Sequence, residues 1–186
     1  AAPALPAPMC GITCRATRDI LRERGAHLVY TQMVSIDGLV HNSGKTWRML
    51  DIEGEAPPVC VQLVGSDPAM AGEAARIAES AGAAVVDFNM GCPARKVVDS
   101  RSGAALLRDL SRAREIVARC VAALSVPFTV KMRWDFHQEE GATALQLVRI
   151  CQEEGAAGVC LHARTRAAQY SGSADWDRIA RLKEAL

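Results

Sequence analysis

Short apolar runs alternate along the chain with longer stretches whose apolar positions recur at helical spacing. The predicted strands are Ala4–Met9, His27–Met33, Val59–Val64, Ala84–Met90, Phe128–Met132 and Gly158–His162. The predicted helices are Thr13–Arg24, Pro68–Ser80, Ser111–Leu124, Gly141–Glu154 and Asp175–Leu186. The apolar runs contain few polar residues, which is typical of parallel strands buried on both faces. The alternation therefore predicts an α/β fold built on a parallel sheet.

Local signals support these element boundaries. Asp67 precedes Pro68, and this pair suits the N-cap and first turn of a helix. A Gly-Ala pair precedes three of the predicted strands, at Gly25, Gly82 and Gly155. Glycine at these places suits a helix C-terminus, where a positive φ is required.

Polar residues at the strand ends favour a TIM (β/α)8 barrel over an open doubly wound sheet. These residues are Gln32, Gln62, Asn89, Lys131 and His162. In a barrel the carboxyl ends of all strands meet on one face, which carries the active site. No GxGxxG motif follows the first strand, which weakens the dinucleotide-binding alternative.

The chain is short for such a barrel. A TIM barrel usually needs about 250 residues, and this chain has 186. We therefore expect a single partial barrel domain over residues 1–186 that is truncated after the sixth strand-helix unit. The loops after the last two strands of a barrel, which often hold a cofactor phosphate, would be missing.

Composition is that of a globular domain, with 49% hydrophobic and 23% charged residues. The net charge of +1 predicts no general affinity for nucleic acid or membranes, so RNA binding would require local charge. The seven cysteines form no CxxC pair and no metal-ligand cluster, so no metal site is predicted. We expect most of them to be small core residues in a reducing cytoplasm.

Candidate chemistry centres on the segment Asp87–Pro93. A buried strand ends here and turns sharply through Gly91 and Pro93, which places Cys92 at the mouth of the barrel. By itself the segment is equally consistent with a reactive thiol and with a tight turn that happens to contain cysteine.

The segment resembles the DxNxGCP signature of the tRNA-dihydrouridine synthase family. Further resemblances follow in the same order along the chain: APMxGxT, VQL, GxALL, KMR and HxRTR…YxGxADW are matched at 7–13, 61–63, 103–107, 131–133 and 162–176. They cover essentially the whole chain, and the last is most similar to the bacterial branch. The resemblance implies the N-terminal catalytic part of such an enzyme, without the helical tRNA-binding domain that follows it in the family.

The resemblance also implies FMN as cofactor, NADPH as reductant and tRNA as partner. The residues expected to contact FMN are Pro8, Met9, Cys10, Gln62, Lys131 and His162. Cys92 is expected to be the catalytic acid. Asn89 is expected to contact the substrate uridine, and Arg164 and Arg166 the RNA or a phosphate.

These residue types suit the implied reduction of uridine to 5,6-dihydrouridine. Hydride addition at C6 of uracil leaves negative charge on C5 and O4, and a proton must then reach C5. A cysteine thiol has a pKa of about 8.5, so it is mostly protonated at neutral pH and can act as a general acid. No neighbouring histidine in the sequence would activate Cys92 as a nucleophile.

Two positions depart from the family pattern, and other functions remain open. Gln32 stands where the family usually has glutamate, and Cys10 replaces a small residue, usually alanine. Arg133 is expected to be a solvated charge at a strand end. The alternatives are an FMN-barrel oxidoreductase acting on a free pyrimidine, a non-catalytic RNA-binding protein, and an inactive fragment.

Overall fold

The computed structural model describes residues 4–137 and 142–186. Its sheet has five strands: β1 (Val29–Ser35), β2 (Val59–Val64), β3 (Val85–Met90), β4 (Phe128–Arg133) and β5 (Gly158–His162). The helices are α1 (Arg15–Glu23), α2 (Ile36–Val40), α3 (Gly44–Leu50), α4 (Pro68–Ser80), α5 (Arg95–Asp99), α6 (Leu110–Ala123), α7 (Ala142–Glu153) and α8 (Trp176–Glu184). A 3-10 helix, Gly103–Arg108, precedes α6.

All strands are parallel and lie in chain order, β1-β2-β3-β4-β5. A doubly wound sheet reverses its strand order at a switch point, and this sheet has no such reversal within the described residues. The order is that of consecutive units of a (β/α)8 barrel, so the predicted fold class is confirmed.

The predicted first strand is not formed. Residues 4–9 adopt no regular secondary structure, and Leu5 and Met9 are 48% and 44% exposed. Pro6 and Pro8 have no amide N–H to donate to a neighbouring strand, which explains why an apolar run fails to pair here. The described part of the chain therefore contains five strand-helix units rather than six.

Helix ends follow the predicted signals. The Asp67 carboxylate accepts a hydrogen bond from the amide of Met70 at 2.9 Å and caps α4. Gly82 has a φ of 101° immediately after that helix. Both features are local, which is why the sequence predicted them well.

Small residues let α4 lie close to α6. Ala71, Ala74, Ala75 and Ala78 of α4 are fully buried. A Cβ on Gly72 would lie 3.2 Å from the carbonyl oxygen of Arg119 in α6. This close packing covers the outer face of the sheet.

Side chains alternate between the two faces of each strand. On β2 to β4, one set is apolar and fully buried under the helices, and includes Val61, Phe88 and Val130. The other set is largely polar. Together with His162 of β5 it forms what we call the polar face, whose members on β2 to β4 are Gln62, Asp87, Asn89, Thr129 and Lys131.

The expectation that most cysteines lie in the core is wrong. Three are buried: Cys60, Cys120 and Cys151. Cys92 is half-buried, and the others, Cys10, Cys14 and Cys160, are exposed. None of the helices described combines the length and apolar character that crossing a membrane requires.

Candidate active site

Hydrogen bonds join three strands across the polar face. Asp87 on β3 accepts from the Gln62 side-chain amide at 2.7 Å and from the Thr129 hydroxyl at 2.6 Å. The Gln62 carbonyl oxygen accepts from the side-chain amide of Asn89 at 3.0 Å. Gln62 and Asp87 are 0% and 1% exposed, so these groups bond to each other rather than to water.

The pKa of the Asp87 carboxyl group on the polar face is shifted by its burial. Burial raises the pKa of Asp87 to about 6, although hydrogen bonds from Gln62 and Thr129 and the charge of Lys131 all lower it. Desolvation disfavours the carboxylate, and these three partners offset only part of that cost.

The turn that carries Cys92 is fixed from two sides. The Asn89 side-chain oxygen accepts from the amides of Gly91 at 3.1 Å and Cys92 at 2.8 Å. The Cys92 carbonyl in turn accepts from the amide of Ala104 at 3.0 Å. Gly103 has a φ of 58°, and a Cβ there would lie 2.9 Å from the Cys92 carbonyl oxygen. The half-buried Cys92 thus follows directly on the carboxyl end of β3.

Arg133 is buried rather than solvated, so the sequence-based expectation is wrong. It is 2% exposed, and its Nε donates to the Gly91 carbonyl at 2.8 Å. A terminal nitrogen donates to the carbonyls of Thr165 at 2.9 Å and Gln169 at 2.8 Å. The guanidinium also lies 5.4 Å from the centre of the Tyr170 ring. Arg133 therefore joins the Cys92 turn to the loop after β5, a long-range role that no local signal announces.

His162 is neutral and surrounded by cations. Desolvation, with the charges of Arg133, Lys131 and Arg164, lowers the pKa of His162 to about 4. A terminal nitrogen of Arg164 lies 3.2 Å from His162 Nε2. Because a guanidinium only donates, Nε2 accepts, and the proton of the neutral ring lies on Nδ1. The mouth of the site thus carries positive charge beside a neutral imidazole.

The two candidate RNA-binding arginines occupy different positions. Arg164 donates to the carbonyls of Ser171 at 3.1 Å and Gly172 at 2.6 Å, and so closes the loop after β5. Arg166 lies 5.2 Å from the Phe136 ring centre, and its Nε is buried without a hydrogen-bond partner. The structure brings Arg164, but not Arg166, into contact with the polar face.

The N-terminal segment lies across a cleft whose floor is part of the polar face and which extends to the amino ends of β3, β4 and β5. Pro8, Tyr30, Asp87, Lys131 and Cys160 are among the residues around this cleft, which has a volume of about 620 Å³. Its apolar walls come from Leu5, Ala7, Val159 and Leu161, among others.

Gln32 holds the loop that follows this segment. Its side-chain oxygen accepts from the Gly11 amide at 2.6 Å, a contact that glutamate could also make. Met9 accepts two amide hydrogen bonds through its carbonyl, and its side chain, like Cys10, is exposed. Among the expected cofactor residues, the structure therefore brings Pro8 and Lys131 to one cleft.

Sequence reasoning missed Asp87, Thr129 and Arg133 as parts of the site. Asp87 lies within the quoted signature, but its partners come from other strands. Across residues 4–137 and 142–186, no group of three or more His, Cys, Asp or Glu side chains could hold a metal ion.

Comparison with known proteins gives a family match over almost the whole chain. The family model described as dihydrouridine synthase matches residues 5–186. The tRNA-dihydrouridine synthase B of Pseudomonas aeruginosa is 41% identical over 182 residues, which are 97% of this chain and 54% of that protein. A probable tRNA-dihydrouridine synthase of Rickettsia bellii is 39% identical over 183 residues, 97% of this chain and 55% of that protein. The chain thus spans about half the length of these relatives.

A solved structure supports the fold alone. A Schiff-base-forming fructose-1,6-bisphosphate aldolase superposes with a TM-score of 0.51 and 20% sequence identity. The match covers 99% of this chain and 64% of that one.

Proposed function

The chain belongs to the dihydrouridine synthase family, and from that membership we propose that it carries the catalytic centre of an FMN-dependent enzyme that reduces uridine to 5,6-dihydrouridine in tRNA. The observation that carries the proposal is the Cys92 turn. Asn89 holds its amides, and the thiol lies half-buried at the carboxyl end of the polar face. This is where a barrel enzyme places its reacting groups.

The part of the cleft next to Lys131 suits the flavin of FMN. Its walls are largely apolar, and Lys131 contributes an ammonium group. A flat ring with an electron-rich edge suits apolar walls next to a cation. Pro8 and Lys131 would line the flavin site, with Met9 and Cys10 from the same loop and His162 from β5. When bound, the flavin would supply the hydride that adds to C6 of uracil.

The role of Gln62 as a residue that contacts FMN is limited by its hydrogen bonds. Its side chain is fully buried and bonded to Asp87 and Asn89, so in this arrangement it supports the site from beneath. A direct contact to the cofactor would require the Gln62 side chain to leave one of these bonds.

Cys92 would complete the reduction by donating a proton. The S–H bond breaks, the proton forms a bond to C5, and the electron pair remains on sulfur as a thiolate. The negative charge that the hydride brought to C5 and O4 is thereby neutralised. Solvent can reprotonate the thiolate because the side chain is only half-buried. Asn89 would contact the uridine, which must leave its stack to enter the site.

Charge near the mouth would support the RNA substrate. Lys131 and Arg164 lie near the neutral His162, and cations of this kind attract phosphate. Arg133 is buried and bonded to backbone carbonyls, so it would add only its charge. Arg166 lies in the loop after β5, away from the polar face, so it would contact RNA only outside the cleft. NADPH as the reductant and the cytoplasm as the location are part of the same proposal.

The test combines flavin content with product formation. The purified protein is loaded with FMN, its visible absorbance is recorded, and dihydrouridine is measured in unmodified tRNA with NADPH. We expect Cys92→Ala to retain FMN and to lose activity by about a hundredfold or more, since general acid catalysis contributes at least that much. Cys14→Ala, at an exposed cysteine before α1, is the matched control.

Three results would contradict the proposal. Turnover of Cys92→Ala within twofold of the unaltered protein would remove Cys92 from the reaction. If the purified protein does not bind added FMN, the chain does not contain the proposed flavin site. Equal reduction of free uridine and tRNA would favour an oxidoreductase acting on a free pyrimidine.

A further inference from the structure

We propose that Asp87 is a positioning residue, which fixes the orientation of two side-chain amides and through them the Cys92 turn. The inference rests on the proposed function, because it gives that turn its purpose. Asp87 does not touch Cys92. It acts through Gln62 and Asn89, which lie between them.

The chain of contacts runs in one direction. The Thr129 hydroxyl and the Gln62 amide nitrogen donate to the two carboxylate oxygens of Asp87, at 2.6 Å and 2.7 Å. The Gln62 oxygen accepts from Asn89 at 3.0 Å. The Asn89 oxygen is then left to accept from the amide of Cys92 at 2.8 Å.

Each link determines the orientation of the next. A carboxylate can only accept hydrogen bonds, so Gln62 must present its nitrogen to Asp87 and its oxygen to Asn89. If Gln62 were reversed, its oxygen would face the carboxylate. Asn89 would then have to reverse as well and present its NH2 group to backbone N–H donors. Both contacts would be repulsive, so the carboxylate selects one arrangement.

Burial prevents water from substituting for this order. Gln62, Asp87 and Asn89 are 0%, 1% and 8% exposed. An amide that loses its partner at such a site stays unsatisfied, which is energetically costly. The strands are also joined by backbone pairing, which links β2 to β3 and β3 to β4 over several residues. Loss of these side-chain hydrogen bonds is therefore expected to affect the turn more than the sheet.

The experiment measures amide hydrogen exchange in the 186-residue chain by NMR, without cofactor or substrate and near pH 7.5. In Asp87→Ala we expect the amides of Gly91 and Cys92 to exchange about tenfold faster, since their acceptor loses its fixed orientation. Sheet amides such as Leu63 and Val130 should change by less than about twofold.

Asp87→Asn is the matched control. Its side-chain oxygen can still accept from Gln62, and its NH2 group can donate to the Thr129 hydroxyl. The backbone amides of Gly91 and Cys92 can only donate, so only this orientation of the introduced side-chain amide leaves no two donors facing each other. We therefore expect it to restore slow exchange at Gly91 and Cys92. If Asp87 only stabilised the sheet, Asp87→Ala would accelerate amide exchange in β2, β3 and β4 together. That result would overturn the proposal.

A second variant covers the case in which Asp87→Ala does not fold. Gln62→Met keeps the size of the side chain and leaves Asp87 intact, but it breaks the chain of contacts. Fast exchange at Cys92 is expected there, and slow exchange at Cys92 would refute the proposal. Because no turnover is measured, a failure of Cys92 as proton donor would leave the exchange result unchanged, so the two failures are distinguishable.

Discussion

Replacing Asp87 with asparagine should change how stability depends on pH. In the folded protein the pKa of Asp87 is raised from 3.8 to about 6. The stability linked to its protonated form is therefore fully present below about pH 4 and is lost as the pH rises through 6. Asparagine has a similar shape and cannot ionise. The variant should gain stability relative to the unaltered protein as the pH rises.

The magnitude follows from the size of the shift. One pKa unit corresponds to about 1.4 kcal/mol, so the full shift is worth about 3 kcal/mol. Between pH 4 and pH 7 about 2 kcal/mol of this is expressed, because part of the unfolded population is already ionised at pH 4. The difference in unfolding free energy between variant and unaltered protein should move by that amount in favour of Asp87→Asn.

Urea denaturation of both proteins at several pH values between 4 and 8 measures this difference. The titration of His162 is common to both proteins and cancels in the comparison. Glu79→Gln is a control of opposite sign. The hydrogen bond from Ser125 lowers the pKa of Glu79, so this carboxylate stabilises the fold above its unfolded pKa, and the Gln variant should lose relative stability as the pH rises.

A pH-independent difference between Asp87→Asn and the unaltered protein would refute the reasoning. It would mean that Asp87 titrates alike in the folded and unfolded states. A difference that moved in favour of the unaltered protein would mean that the hydrogen bonds from Gln62 and Thr129 outweigh the desolvation of the carboxylate.

Two further substitutions test the packing of the Cys92 turn and a buried ion pair between α1 and the segment before β2. Gly103→Ala should lower the unfolding free energy by about 2 kcal/mol or more, because a Cβ would meet the Cys92 carbonyl at a positive φ. The control Gly25→Ala has a positive φ but nothing within 4 Å of the added Cβ, and should cost only about 1 kcal/mol. Equal losses in the two variants would exclude the clash. Arg18→Met should cost about 3–5 kcal/mol in urea denaturation, because it leaves the fully buried Glu55 carboxylate without its ion pair. Adding Glu55→Gln should recover part of that loss, and no recovery would contradict the ion-pair explanation.

Local patterns predicted the elements that depend on local chemistry. β2 and β5 have the predicted bounds, because each is an apolar run ended by turn residues. The Asp67 cap and the positive φ at Gly82 were likewise predictable from adjacent residues. The convergence of Gln62, Asn89 and Lys131 followed from their positions near strand ends, because the carboxyl ends of all strands of a barrel meet on one face.

The remaining features depend on partners far away in the sequence. Residues 4–9 have a strand-like composition, but their prolines cannot donate to a neighbouring strand. Arg133 looks like any strand-end charge until its acceptors at Gly91 and Thr165 are known. Asp87 looks like part of a turn signature, and only the neighbouring strands reveal its hydrogen-bond partners. None of these partners is marked by a residue close in sequence.

The sequential strand order has a consequence for how the site is assembled. The contacts between Gln62 and Asp87, Gln62 and Asn89, and Thr129 and Asp87 span 25, 27 and 42 residues, and each joins one strand to the next. The entropic cost of closing loops of this length is modest, and contacts between successive units favour fast folding. During synthesis, each strand that leaves the ribosome can add its side chains to a partly formed polar face. The hydrogen bonds that join Gln62, Asp87, Asn89 and Thr129 can thus form once β4 has emerged, before β5 pairs with it, whereas the contacts of Arg133 with the loop after β5 must form later.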